Sequence, residues 1–72
     1  MTQNDKILRH LREIGPITPM DAMSQYSIMR LGARIYDLKR MGYNITASII
    51  TGKNRYGERT MWASYRLEDG NV

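Results

Sequence analysis

Apolar residues recur along this chain with two different periods, and the change from one to the other divides it into elements. Between Asn4 and Ile14 the residues Ile7, Leu8, Leu11 and Ile14 fall along one side of a helix. Thr2 or Asn4 is placed to cap its start, and Gly15 with Pro16 stops it. Ile17 and Thr18 allow a very short extended piece. Thr18-Pro19-Met20-Asp21 then reads as a second helix start: Thr18 at the N-cap, Pro19 where its missing N–H costs nothing, and Asp21 among free amides. The pattern weakens at Ser24-Gln25-Tyr26, and Ser27 is read as the cap of a third helix, 28–41, ended by Gly42. Ile28, Leu31, Ile35 and Leu38 give that helix a core stripe.

From Tyr43 the period becomes two. Tyr43, Ile45, Ala47 and Ile49 alternate with Asn44, Thr46 and Ser48, and Met61, Ala63, Tyr65 and Leu67 alternate with Thr60, Trp62, Ser64 and Arg66. A hairpin centred on Arg55 sets 49 opposite 61 and 45 opposite 65, with both apolar sets on one buried face; a slip of one residue would expose one set. The expected organisation is one domain over 1–67 with a frayed tail over 68–72. It is an α+β arrangement of three helices followed by a two-stranded hairpin.

Charge sharpens this picture. Between Ser27 and Arg59 lie seven basic residues and two acids; the rest of the chain has four basic residues and five acids. The segment thus carries +5 and the rest −1, so all the positive excess in the net +4 sits on one helix and the hairpin after it. A positive field of that kind favours a phosphate backbone through counterion release. The opposite side of helix 28–41 is read as presenting Met29, Arg30, Ala33, Asp37 and Arg40, with Arg34 and Tyr36 on its shoulders. Ala33 permits close approach to a groove, and Arg30 and Arg34 have the reach to read bases; Lys39 and Arg40 suit backbone contacts. Lys53, Asn54, Arg55 and Tyr56 at the hairpin tip are the second candidate set, within the segment 51–58. Trp62, beside Ile50 on the outer face of the hairpin, marks a candidate partner surface, covered either by another chain or by the Ile17 segment or first helix. Apart from Met1, the methionines Met20, Met23, Met29, Met41 and Met61 are read as core or boundary filler.

Other chemistry is thin. The chain has no cysteine and one histidine, His10, with no ligand partner at metal spacing, so neither metal nor cofactor is expected. No Ser/His/Asp set, phosphate loop or carboxylate cluster points to an enzyme. No apolar run reaches membrane-spanning length, and a cytoplasmic protein is expected.

Three helices and a hairpin in this order are those of a winged helix-turn-helix. Over Thr18 to Leu67 the chain resembles small winged-helix proteins of phages and prophages. The residues that carry the likeness are Ile17-Thr-Pro-Met-Asp-Ala, the block from Arg30 through Ala33-Arg-Ile-Tyr-Asp-Leu38 to Ile45, and Thr51-Gly-Lys-Asn-Arg-Tyr-Gly57. The resemblance implies the fold and double-stranded DNA as partner. The expected mode sets the N-terminal half of helix 28–41, led by Ser27, Met29 and Arg30, in the major groove, with the hairpin on backbone or minor groove. A transcriptional regulator or recombination accessory factor is the leading reading, acting as a homodimer or on tandem sites. The other is a protein-interaction adaptor or an inhibitor of a host protein.

Overall fold

The computed structural model describes residues 1–68 of the chain. Its elements are helices α1 (Gln3–Glu13), α2 (Pro19–Tyr26) and α3 (Leu31–Arg40), then strands β1 (Ile45–Lys53) and β2 (Arg59–Leu67). The strands form an antiparallel two-stranded hairpin. Three helices followed by a wing is therefore the observed α+β fold.

The first two helices start where local chemistry dictates. Thr2 and Thr18 each accept a hydrogen bond from the backbone N–H three residues on, and the carboxylates of Asp5 and Asp21 accept from the threonine N–H groups in return. Each such reciprocal box satisfies two amides that the helix leaves unpaired. Gly15 (φ +135) ends the first helical segment and Gly42 (φ +105) turns the chain out of α3.

The core is a single cluster: Ile7 and Leu11 from α1, Ile17, Ala22 from α2, Ile28, then Leu31, Ile35 and Leu38 from α3, and Ile45 from β1. Ile7, Ile17, Ile28 and Leu38 are the largest fully buried side chains. Each stabilises the fold by about 1.5–3 kcal/mol relative to exposure. Ile14, by contrast, lies past the last turn of α1 and is exposed, so the apolar stripe ends at Leu11.

His10 is buried among these apolar residues. Its Nδ1 lies 2.7 Å from the Tyr26 hydroxyl and its Nε2 3.3 Å from the Pro16 carbonyl oxygen. A carbonyl only accepts, so the consistent tautomer carries the proton on Nε2, and Tyr26 donates to Nδ1. The ring thus ties α1 both to α2 and to the Gly-Pro link between them.

The hairpin register differs from the sequence reading by two residues. Ile45 pairs with Leu67, Ala47 with Tyr65, Ile49 with Ala63 and Thr51 with Met61, which centres the turn on Tyr56 rather than Arg55. Parity is kept, so the face assignment survives. Burial does not extend along that face, however: Ile49 is 65% exposed and Met61 66%. The helices support only the base of the hairpin, at Ile45, Tyr65 and Leu67, and the outer half stands clear of the body. Ile17 adds one bridge to the far edge of β2, exchanging both backbone hydrogen bonds with Tyr65.

The methionine reading is corrected as well. Met20, Met23, Met29, Met41 and Met61 are all exposed: Met29 and Met41 lie outside the ends of α3, and Met61 lies on the apolar face of β2 but beyond the reach of the helices. Glu68 is held rather than frayed: its N–H bonds to Asn44 oxygen, and its carboxylate accepts from Thr46 and Arg66. These bonds hold the Glu68 carboxyl below the usual carboxylate range, the Thr46 hydroxyl contributing most. The rest of the expected tail, 69–72, lies outside the described residues.

Candidate nucleic-acid interface

The segment joining α2 to α3 positions the second of these helices. Ser27 is not the cap of a helix beginning at Ile28. It sits in the left-handed region (φ 57) after α2, its N–H bonding to Met23 oxygen while the N–H of Ile28 bonds to Ala22 oxygen. The Ser27 bond closes α2 in the αL motif, the Ile28 bond reaches one residue further back, and Ile28 drops into the core with Ala22. The chain then bends at Met29 and reaches Arg30, the N-cap of α3. The left-handed backbone at Ser27 breaks helical continuity, and α3 begins three residues later than its periodicity implies. Met29 and Arg30 are exposed on this connection rather than on the helix. No side chain caps α3, which leaves the partial positive charge of its first amides uncompensated by any acid in the first turn.

Around α3 the exposed strip is rotated from the one read in the sequence. Gly32, Tyr36, Lys39 and Arg40 are exposed, and Tyr36 is 60% so. Ala33, Arg34 and Asp37 are half-buried. The cause is α1, which packs along that flank: Asn4 Nδ2 donates to Asp37 Oδ2 at 3.5 Å, and Arg34 reaches the same oxygen at 3.2 Å. Asp37 and Arg34 therefore occupy each other. Tyr36, assigned to a shoulder, stands on the open side with the Arg40 guanidinium 5.8 Å from its ring centroid. Its exposure follows from which flank α1 covers, a tertiary fact that helical periodicity does not carry.

The hairpin tip separates into a frame and a free set. Asn54 is the frame: its Oδ1 accepts from the N–H groups of Tyr56 and Glu58, and its Nδ2 donates to the Glu58 carboxylate. Gly57, at φ +79, supplies the left-handed residue that lets this turn close. Asn54 is consequently engaged with its own loop. Lys53, Arg55 and Tyr56 remain exposed, and Lys53 faces Arg59 directly across the ladder.

Ion pairing shows the same division. Among the described residues the salt bridges are Arg9 to Glu13, Arg34 to Asp37 and Arg66 to Glu68. Arg30, Lys39, Arg40, Lys53, Arg55 and Arg59 belong to none of them. The remaining acid of this half, Glu58, is bonded to Asn54.

Trp62 pairs directly with Ile50 and is 38% exposed. The Ile17 bridge brings the start of α2 alongside it, so that Thr18, Pro19, Met20, Asp21 and the indole line one shallow groove. Part of the outer sheet face is thereby covered from within the chain.

Among the described residues no group of three or more His, Cys, Asp and Glu side chains is arranged to hold a metal ion, and no helix is long and apolar enough to cross a membrane. No curated protein and no solved structure matches the chain. The profile of one family, the winged helix-turn-helix domain, matches residues 2–70, nearly the whole sequence. The helix order, the short α2 to α3 connection and the cationic wing agree with that match, and the chain belongs to the winged helix-turn-helix domain family.

Proposed function

We propose that the chain binds double-stranded DNA in a sequence-dependent way, with α3 in the major groove and the wing on the adjacent backbone or minor groove. The observation that carries this is the ion-pair map: of the seven cations between Ser27 and Arg59, only Arg34 has an acidic partner within salt-bridge distance among the described residues. Cations left without counter-charges on neighbouring elements are what phosphates replace bound ions on. Arg30, at the uncapped start of α3, and Tyr36, on its open side, are the proposed base readers. Met29, Lys39 and Arg40 flank them, and Ser27 and Ala33 are neighbours rather than readers. Arg34 and Asp37 act on the duplex as a fixed pair. In the wing, Lys53, Arg55 and Arg59 supply phosphate contacts and Tyr56 a hydroxyl, while Asn54 shapes the turn. A phage-type regulator or recombination accessory factor fits the resemblance of the 30–45 block and the small size.

Selection of bound sequences from random duplexes tests the proposal, followed by fluorescence anisotropy on the selected site. Arg30→Ala is expected to relax preference at one position and cost ~1–3 kcal/mol on the selected site, with little change on random duplex. Equal weakening on both would remove Arg30 from base readout.

A further inference from the structure

We propose that β1 is a self-association edge, pairing antiparallel with β1 of a second copy about a twofold axis at Ile49. The phase of the ladder shows which backbone groups are open. Tyr65 spends both its N–H and its carbonyl on Ile17, away from β1. In an antiparallel pair such groups alternate residue by residue, so the even-numbered residues of β2 are the ones bonded to β1. Asn44 oxygen bonding to Glu68 N–H, and Asn54 N–H to Glu58 oxygen, keep the same phase at the two ends. Ala47, Ile49 and Thr51 therefore aim their N–H and carbonyl groups at the outer edge, where no strand lies among the described residues.

That edge lacks the usual protections. Sheet edges are ordinarily blunted by charge, proline, bulges or shortness. From Thr46 to Gly52 the strand has no charged residue and no proline, its pairing with β2 is uninterrupted, and it is nine residues long. It is also self-complementary. An axis at Ile49 pairs Ile49 with Ile49 and Ala47 with Thr51, twice, engaging all six open donors and acceptors. The exposed Ile49 side chains cover one another, and Ile50 meets Ser48 on the other face.

Charge selects a second copy in this register. Lys53 falls opposite Ile45, so the two Lys53 side chains lie eight residues apart, about 27 Å at the rise of a strand. That is beyond the ~8 Å screening length of physiological salt. An axis at Thr51 would halve the separation. The cationic tips point in opposite directions along the shared sheet, and dimerisation does not force like charges together.

The test uses the full chain without DNA, so its outcome is separate from that of the DNA-binding proposal. Sedimentation across micromolar to millimolar concentration is expected to show a monomer–dimer equilibrium. Ile49→Lys, which sets two ammonium groups face to face across the axis, should weaken it by at least tenfold with circular dichroism and melting unchanged. Because the chain has no cysteine, Ile49→Cys gives an independent readout. A directly opposed pair has Cα atoms ~5.5 Å apart, within disulfide range, so mild oxidation should yield a covalent dimer, whereas Tyr56→Cys at the tip should not. A chain that stays monomeric to millimolar concentration leaves the edge to some other strand and overturns the proposal. So does a dimer that survives Ile49→Lys, or equal cross-linking of the two cysteine variants.

Discussion

Removing the wing cations separates a role in binding from a role in folding. Lys53, Arg55 and Arg59 form no ion pair among the described residues, and Lys53 stands opposite Arg59 across the hairpin. Opposed like charges destabilise a strand pair, by a few tenths of a kcal/mol at an exposed site. The triple variant Lys53→Gln, Arg55→Gln, Arg59→Gln keeps a shorter polar side chain at each position and removes the repulsion, so its melting temperature should hold or rise by about 1–3 °C. Its affinity for duplex DNA should fall. If each cation neutralises one phosphate, each contributes ~0.9 to the slope of log affinity against log salt, and losing three lowers the slope by roughly 2.7. Between 50 and 200 mM salt the wild-type chain should then lose roughly 40-fold more affinity than the variant. Fluorescence anisotropy of one labelled duplex over a salt series measures the slope, and calorimetry measures the melt. A slope unchanged within 0.5 would refute placement of these side chains on phosphate. A melt lowered in step with affinity would show that they act through the fold.

Two further outcomes concern stability. Thr18→Ala removes the acceptor for the Asp21 amide and should cost about 1 kcal/mol, read as a lower midpoint in denaturant with an unchanged slope. Glu68 is lowered in the folded chain, so its bonds to Thr46 and Arg66 stabilise fully above the ordinary carboxylate range and are lost as pH falls through the folded value. Thermal melts of wild type and Glu68→Gln should accordingly differ at neutral pH and converge in acid. Melts that stay parallel throughout would remove the carboxylate from the account.

The parts of the fold written in local chemistry are legible in the sequence. Thr18-Pro19-Met20-Asp21 places a helix start to the residue, because the box it forms needs no distant neighbour. Strand parity is legible for a similar reason, since a one-residue slip turns one apolar set to the opposite face, whereas a two-residue slip turns neither. The centre of the hairpin is settled instead by Asn54 and Gly57, which close the turn around Tyr56. Serine suits an N-cap as well as a polar end to α2, and only the left-handed backbone of Ser27, its N–H bonded to Met23 oxygen, distinguishes the two. The exposed strip of α3 differs from the one its periodicity implies by the amount that α1 covers on the Asp37 flank, and Asn4, the residue that reaches across, carries no sign of that contact in its own neighbourhood. Likewise Ile49 and Met61 alternate as buried strand residues do, yet the body is too small to reach them.

Ile28 anchors the connection between α2 and α3 from beneath, while Met29 and Arg30 ride above it in solvent. The attitude of α3 is thus fixed by a side chain turned away from solvent, and in the proposed binding mode the side chains offered to the duplex have no share in holding it. Vocabulary and grammar are then decoupled: Met29, Arg30 and Tyr36 can be exchanged for others and a new site learned while the helix keeps its pose.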